Sequence, residues 1–258
     1  RTSQELSQYN IAGIDLNMGC PAPRVYRKNV GCGLLREPEK VDRILGELRS
    51  VVSDRPLTVK MRVGFDNTDT FEEILDIINR HNIDLLSLHG RTVKDGYHGE
   101  VKYDLIAQAV KRVNCPVLAN GNIDSAATAL KILSQTGAAG VMVGRWAIAN
   151  PWIFNQIRQV LLSEPISPVP LAEVREYIDR LRKTPEAVKT PQRARAGHLK
   201  MYLNYIALLV DSEGNFLRLM RKTKTELELL KLCDNVFLNG NKYLALAPYS
   251  SRELGVKS

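Results

Sequence analysis

Between residues 13 and 143, short apolar runs alternate with longer stretches in which apolar residues recur every three or four positions. The runs at 13–16, 57–62, 85–89, 117–120 and 140–143 are bounded by polar residues or glycine and predict strands. The stretches 38–52, 70–81 and 125–136 predict amphipathic helices: Val41, Ile44, Leu45, Leu48 and Val52 line one face of the first, and Phe71, Ile74, Leu75 and Ile78 one face of the second. Asp124-Ser125 is a helix start. Alternation of this kind implies a parallel sheet, and right-handed crossovers leave a closed barrel or a doubly wound open sheet. A (β/α)₈ barrel takes roughly 250 residues, about 30 per unit, so five units need about 150. That is the length of this segment. The expected fold is α/β, a (β/α)₈ TIM-barrel type that is incomplete, holding about the last five βα units, followed by a small all-α domain. The chain opens on Arg1, almost directly into a strand, and three further units are expected in a larger protein.

After Pro151-Trp152-Ile153-Phe154 the pattern changes, and Pro165, Pro168 and Pro170 form a connector. A boundary is expected near 155–170. Helices are predicted at 171–183, at 193–210 and from 216 to about 232, with an irregular tail around Asn239-Gly240-Asn241. Charge separates the same two regions. Residues 1–154 hold 19 Lys and Arg against 17 Asp and Glu, and residues 155–258 hold 17 against 11, so +6 of the net +8 lies in the last part. A localised basic excess suits a polyanion, most simply nucleic acid, or else a solvated face.

The 44% hydrophobic content supports a core, and no stretch of about 18 apolar residues exists for a membrane span. The start Arg1-Thr2-Ser3-Gln4-Glu5 is no signal peptide, so cytoplasmic residence is expected. Cysteines 20, 32, 115 and 233 lack metal-ligand spacing; reduced thiols and no metal are expected.

Each predicted strand ends in polar groups: Asn17 and Cys20; Lys60 and Arg62; His89 and Arg91; Asn120, Gly121 and Asn122; Gly144 and Arg145. Ligands bind at the carboxyl ends of parallel strands, where loops vary while strands stay fixed. Cys20 follows a strand broken by Gly19 and Pro21, and is either a reactive thiol or a small buried hydrophobe. Asn120-Gly121-Asn122 and Gly144-Arg145 suit a phosphate, since glycine lets backbone N–H groups approach its oxygens and Arg145 adds a bidentate contact. Lys60 suits an electron-rich ring on which negative charge develops, or a salt bridge to a carboxylate such as Asp15. His89 is a ligand contact or a satisfied structural residue. No second histidine or carboxylate completes a hydrolase triad.

The strings Asp15-Leu16-Asn17-Met18-Gly19-Cys20-Pro21, Gly33-Leu34-Leu35, Val59-Lys60-Met61-Arg62-Val63-Gly64, Leu88-His89-Gly90-Arg91-Thr92, Ala119-Asn120-Gly121-Asn122-Ile123 and Val141-Met142-Val143-Gly144-Arg145 resemble the FMN-dependent tRNA-dihydrouridine synthases in order and spacing. The resemblance is dense over residues 11–160 and looser beyond 170. It implies an FMN-binding barrel domain over 1–160, lacking its N-terminal strands, and a helical tRNA-binding domain over 171–258. The implied reaction reduces the 5,6 double bond of selected tRNA uridines, with NADPH reducing FMN and hydride passing from flavin N5 to uracil C6. Cys20 would protonate C5 as the general acid. Asn17 and Arg91 would contact substrate; Lys60, His89, Asn120, Gly121, Asn122, Gly144 and Arg145 would hold FMN. Tyr202 and Tyr205 would stack on RNA or pack a helix. Asn122 stands where the family often has Asp, and Trp146 where it often has Gly. The implied protein is a monomer with tRNA as partner and no membrane. Two alternatives accompany it: a truncated, non-catalytic RNA-binding relative, and another FMN barrel acting on a small pyrimidine or enoate.

Overall fold

The computed structural model describes residues 5, 6, 8–240 and 242–248. By its internal contacts the chain forms two compact units, one of residues up to 123 with 131–142, the other of 124–130 with residues from 143 onward. The chain thus divides at 142/143, ahead of the 155–170 connector.

The first unit is built on five parallel strands, β1 (Ile14–Met18), β2 (Leu57–Arg62), β3 (Leu85–His89), β4 (Val117–Asn120) and β5 (Gly140–Met142), paired in sequence order. Among the described residues β1 pairs only with β2, and β5 only with β4. A short helix α1 (Pro23–Tyr26) and a 3₁₀ turn (Gly31–Arg36) follow β1, and the crossovers carry α2 (Pro38–Val51), α3 (Phe71–Arg80), α4 (Tyr103–Arg112) and α5 (Ala126–Thr136). The apolar period placed α2, α3 and α5 to within a residue or two at their ends. It did not announce α4, because only Ile106 and Ala109 of that helix are buried. Ser125 caps α5, its hydroxyl accepting from the Thr128 N–H at 3.1 Å.

Among its described residues the second unit has no strand beyond an isolated bridge between Pro170 and Tyr243. Its helices are α6 (Trp146–Ala149), α7 (Ile153–Leu161), α8 (Leu171–Arg182), α9 (Pro185–Lys189), α10 (Gln192–Ile206), α11 (Asn215–Lys222) and α12 (Glu226–Phe237). Five of them, α6, α8, α10, α11 and α12, close over one buried cluster that includes Val174, Leu199, Leu203, Phe216, Leu229 and Phe237, with the Phe216 and Phe237 rings edge to face at 5.1 Å.

Two helix expectations need correction. The helix expected from 216 to about 232 is two helices, because Thr223 leaves the helical region and Thr225 starts a new helix, its hydroxyl accepting from the Glu228 N–H at 3.2 Å. The helix expected to reach 210 ends at Ile206 and tightens into a 3₁₀ turn over Ala207–Leu209. Of the expected irregular tail, Asn241 and residues 249–258 lie outside the described residues. Among the described residues no helix is long and apolar enough to cross a membrane.

Candidate active site

In a parallel sheet, aligned residues on neighbouring strands share a face, and the face alternates along each strand. The register aligns Asn17 with Lys60 and Lys60 with Ser87, and one step of two residues onward it aligns Arg62, His89 and Asn120. The polar residues therefore lie on one face, and Lys60 and Arg62 share it. The intervening row, Met18, Met61, Leu88 and Ala119, is fully buried on the other face. Burial of that apolar row fixes the register, because a slip of one residue would carry every polar group into the core.

At the end of β1 the Asn17 side-chain oxygen accepts from the Gly19 N–H at 2.9 Å, closing a tight turn. Its amide NH₂ makes no hydrogen bond among the described residues and is available as a donor. Cys20 follows, half-buried, with its carbonyl accepting from the Cys32 N–H at 3.4 Å. Cys32 is fully buried, and burial pushes its thiol up to about 11 against the lowering charge of Arg62. Of these two neighbouring thiols, Cys20 is the accessible one.

Lys60 is half-buried beside this turn; a Cβ on Gly19 would lie 3.5 Å from its Nζ. Burial, then the charge of Arg62, lowers its pKa, while Asp15 opposes them. Asp15 accepts a hydrogen bond from the Thr58 hydroxyl at 2.7 Å, and no ion pair joins it to Lys60. The ammonium has no hydrogen bond or ion pair among the described residues. A partly desolvated cation in that state favours an electron-rich or anionic partner.

Arg62 and Arg91 are 2% and 3% exposed. Arg62 donates through Nε to Gly19 O at 3.3 Å and through Nη1 to Thr92 O at 2.9 Å and Gly96 O at 3.4 Å. Arg91 donates to Gly99 O at 2.5 Å and to Asn122 Oδ1 at 3.1 Å. Both guanidiniums thus pin the loops that follow β1, β3 and β4. His89 is 8% exposed. Gly121 has φ +134°, in the left-handed region, and a Cβ there would meet Val101 Cγ1 at 2.9 Å and His89 Cδ2 at 3.3 Å. Tyr103 donates to Gly121 O at 3.0 Å, and the Asn120 amide donates to Met142 O at 2.7 Å. Asn122, also left-handed at φ +48°, is exposed.

The structure therefore gathers Asn17, Cys20, Lys60, His89, Arg91, Asn120, Gly121 and Asn122 at the carboxyl ends of the strands of the first unit. Gly144 and Arg145 belong to the second unit, both exposed, with open space where a Gly144 Cβ would stand. Sequence reasoning named Arg62 among the strand ends but gave it no task, and passed over Tyr103 and the Thr92–Asp95 pair. The Thr-x-x-Asp spacing was the available signal for that pair. The second unit also holds two adjoining clefts, of about 160 and 510 Å³, that share Arg182 and Glu226 and are lined by Arg195 and His198 in one and by Arg193 and Lys224 in the other. Tyr205 packs against the helical core, and Tyr202 lies edge to face with His198 at 5.5 Å. Among the described residues no group of three or more His, Cys, Asp or Glu could hold a metal.

The family model described as "Dihydrouridine synthase (Dus)" matches residues 4–240. Among curated relatives, "tRNA-dihydrouridine synthase B" of Escherichia coli (strain K12) is 41% identical over 167 residues, 64% of this chain and 52% of that protein. The protein of the same description from Proteus vulgaris is 39% identical over 169 residues, 65% of this chain and 52% of that one. The chain spans about half the length of these relatives. A nitroalkane oxidase structure from Streptomyces ansochromogenes overlays at a TM-score of 0.37 and 13% identity over 98% of this chain and 62% of that one, too little to carry an argument.

Proposed function

Given that the chain belongs to the dihydrouridine synthase family, we propose that it is part of an FMN- and NADPH-dependent tRNA-dihydrouridine synthase of the cytoplasm. In this reading the five strands are the last five of a (β/α)₈ barrel, which accounts for the two sheet edges without a partner strand among the described residues. Residues 1–160 form the flavin domain and 171–258 a helical tRNA-binding domain; the protein acts as a monomer without a metal.

The observation that carries the proposal is the row in which Asn17 aligns with Lys60 on one sheet face, beside the accessible Cys20 thiol. The partnerless, partly buried Lys60 fits a flavin ring, which becomes electron-rich on reduction. When bound, FMN would supply hydride-transfer chemistry for C6 of the uracil, with NADPH as its reductant. Cys20 delivers a proton from Sγ to C5. The free amide of Asn17 donates to a uracil carbonyl and orients the base in the site. His89 and the backbone at Gly121 and Asn122 would hold the cofactor, and Asn120 ties that loop to Met142 O. Gly144 and Arg145 are assigned to its phosphate by their motif alone. Arg91 serves substrate binding through the loops it pins. The basic clefts of the second unit take tRNA phosphates.

The test is to purify the protein, record its visible spectrum, and map dihydrouridine in tRNA from a strain lacking its own synthases after supplying the gene. A flavin spectrum with new dihydrouridine is the expected result. A colourless protein that still binds tRNA in low salt supports the RNA-binding module instead. A yellow protein that reduces free pyrimidines or enoates and leaves tRNA untouched supports the small-molecule reductase.

A further inference from the structure

Between Cys20 and Cys32 the chain makes a short excursion and folds back on itself. Helix α1 fills the excursion, and Asn29 turns it at φ +51°. The turn is tied down from the next helix: Arg36 Nη2 donates to Asn29 Oδ1 at 2.7 Å and to Tyr26 O at 3.2 Å, and Lys40 Nζ donates to Asn29 O at 3.0 Å. Gly31 follows at φ +57°, where a Cβ would meet Val25 Cγ1 at 2.8 Å and the Cβ of Cys20 at 3.4 Å. Glycine is what lets the returning chain lie this close against the Cys20 side chain.

That approach brings the two cysteines together. Cys32 N–H donates to Cys20 O at 3.4 Å. The bond lengths on either side of this contact hold the two Cα atoms to roughly 7 Å or less, where a disulfide spans about 4.4–6.8 Å. The Cys32 thiol also feels charge on the Cys20 sulfur, after the larger effects of burial and of Arg62. Both are free thiols of unequal access, Cys20 half-buried and Cys32 fully buried, so a small oxidant meets Cys20 first. A proton transfer from Cys20 has no use for a second sulfur beside it. An exposed thiol backed by a sealed one is instead the arrangement of an oxidisable cysteine and its resolving partner.

We propose that Cys20 and Cys32 are an oxidation-sensitive pair, in which hydrogen peroxide converts Cys20 to a sulfenic acid and Cys32 closes it to a disulfide. In the first step the Cys20 sulfur attacks peroxide: an S–O bond forms, the O–O bond breaks, and water leaves with the thiol proton. The sulfur gives up two electrons and peroxide takes them. In the second step the Cys32 sulfur attacks the Cys20 sulfur, the S–S bond forms, the S–O bond breaks, and the departing hydroxide takes the Cys32 proton as a second water. The Arg62 charge favours the attacking thiolate against its burial. The disulfide removes the proton donor from Cys20 and so stops the reaction proposed above, a consequence that rests on that reading. It also keeps Cys20 from the irreversible step to a sulfinic acid, and a thiol reductant restores it.

The test treats the purified protein with hydrogen peroxide in dilute solution, blocks the remaining thiols and digests with trypsin. The expected product joins the peptide ending at Arg24, which holds Cys20, to the peptide ending at Arg36, which holds Cys32. Dithiothreitol should separate them. Reduction of tRNA should fall about tenfold or more under peroxide and return to within about twofold of its start with dithiothreitol. Untreated Cys32→Ala and Cys32→Ser should match wild type within about twofold, since residue 32 only fills space in the reduced protein. Under peroxide both should lose as much as wild type and regain less than about a fifth, with Cys20 recovered as a sulfinic acid. Wild type that carries sulfinic Cys20 and no linked peptides overturns the proposal, as does a bond from Cys20 to Cys115 or Cys233, or recovery of both variants equal to wild type. The wild-type digest decides even where neither variant folds. Linked peptides in a protein that never reduced tRNA refute the function and keep the pair, whereas an active protein without the link refutes the pair alone.

Discussion

Two pairs of cations, Arg62 and Arg91 at the strand ends and Arg193 and Lys224 in one cleft of the helical unit, carry the same charge and have opposite uses. Arg62 and Arg91 are almost wholly buried and spend their donors on carbonyls of the loops around them. Arg193 and Lys224 are exposed and make no side-chain hydrogen bond or ion pair among the described residues. Cations of the first kind fix geometry, since a desolvated guanidinium with several carbonyl partners holds them in one arrangement. Cations of the second kind supply potential, which depends on their number and on salt far more than on their placement. A transferred proton needs the first; a nucleic-acid backbone is held by the second.

The largest effect is expected where geometry meets chemistry. Cys20→Ala should slow dihydrouridine formation by about 10²–10⁴ while tRNA affinity and flavin absorbance stay as they were. Turnover that survives the substitution would take the thiol out of the reaction.

Next comes the structural cation. Arg62→Met leaves three carbonyls without their donor, at about 1–3 kcal/mol for each one left unsatisfied, so denaturant unfolding should report a loss of about 3 kcal/mol or more. Arg193→Ala should stay within about 0.5 kcal/mol of wild type. Similar losses at both positions would erase the distinction between the two regions.

A smaller effect tests the other side. Arg193→Glu together with Lys224→Glu should weaken tRNA binding about tenfold in low salt and flatten the plot of log affinity against log salt by about two charges. Turnover at saturating tRNA should not move.

The smallest concerns pH. Burial alone would raise the Asp95 carboxyl, but the Lys102 ammonium and both the backbone and side chain of Thr92 override it and hold the pKa at about 2. A carboxylate depressed in the folded state adds stability above its unfolded pKa, near 4, and loses it as pH falls toward 2. Thermal melts should show Asp95→Asn closing most of its gap to wild type across that window. A gap that persists unchanged at the acid end would mean that the carboxylate is not what ties the turn.

The strands were legible because each is an apolar run closed by glycine or polar residues, and 57–62, 85–89 and 117–120 have the bounds that the pattern gave them. The break at Thr223-Lys224-Thr225 was passed over although two signals mark it: Met220 and Leu229 stand nine positions apart, half a turn out of phase on one helix, and Thr225 and Glu228 have the spacing of a helix start. The candidate site was legible as residue types at strand ends. Its internal wiring was not. Nothing in the string Lys60-Met61-Arg62 says that the lysine is left without a partner while the arginine reaches carbonyls 43, 30 and 34 positions away in sequence.

By itself the sequence determined the alternation of strand and helix, the family, and which polar groups stand at the strand ends, because these follow from local periodicity and short motifs that each stretch of chain carries alone. Only the tertiary structure decided that Asn17, Lys60 and Ser87 share a row, that Cys32 is sealed while Cys20 is half-buried, and that one guanidinium holds both Gly19 O and Gly96 O. Those facts depend on register and on donors meeting acceptors from distant segments, and a distance between segments is set only when the apolar rows close on each other.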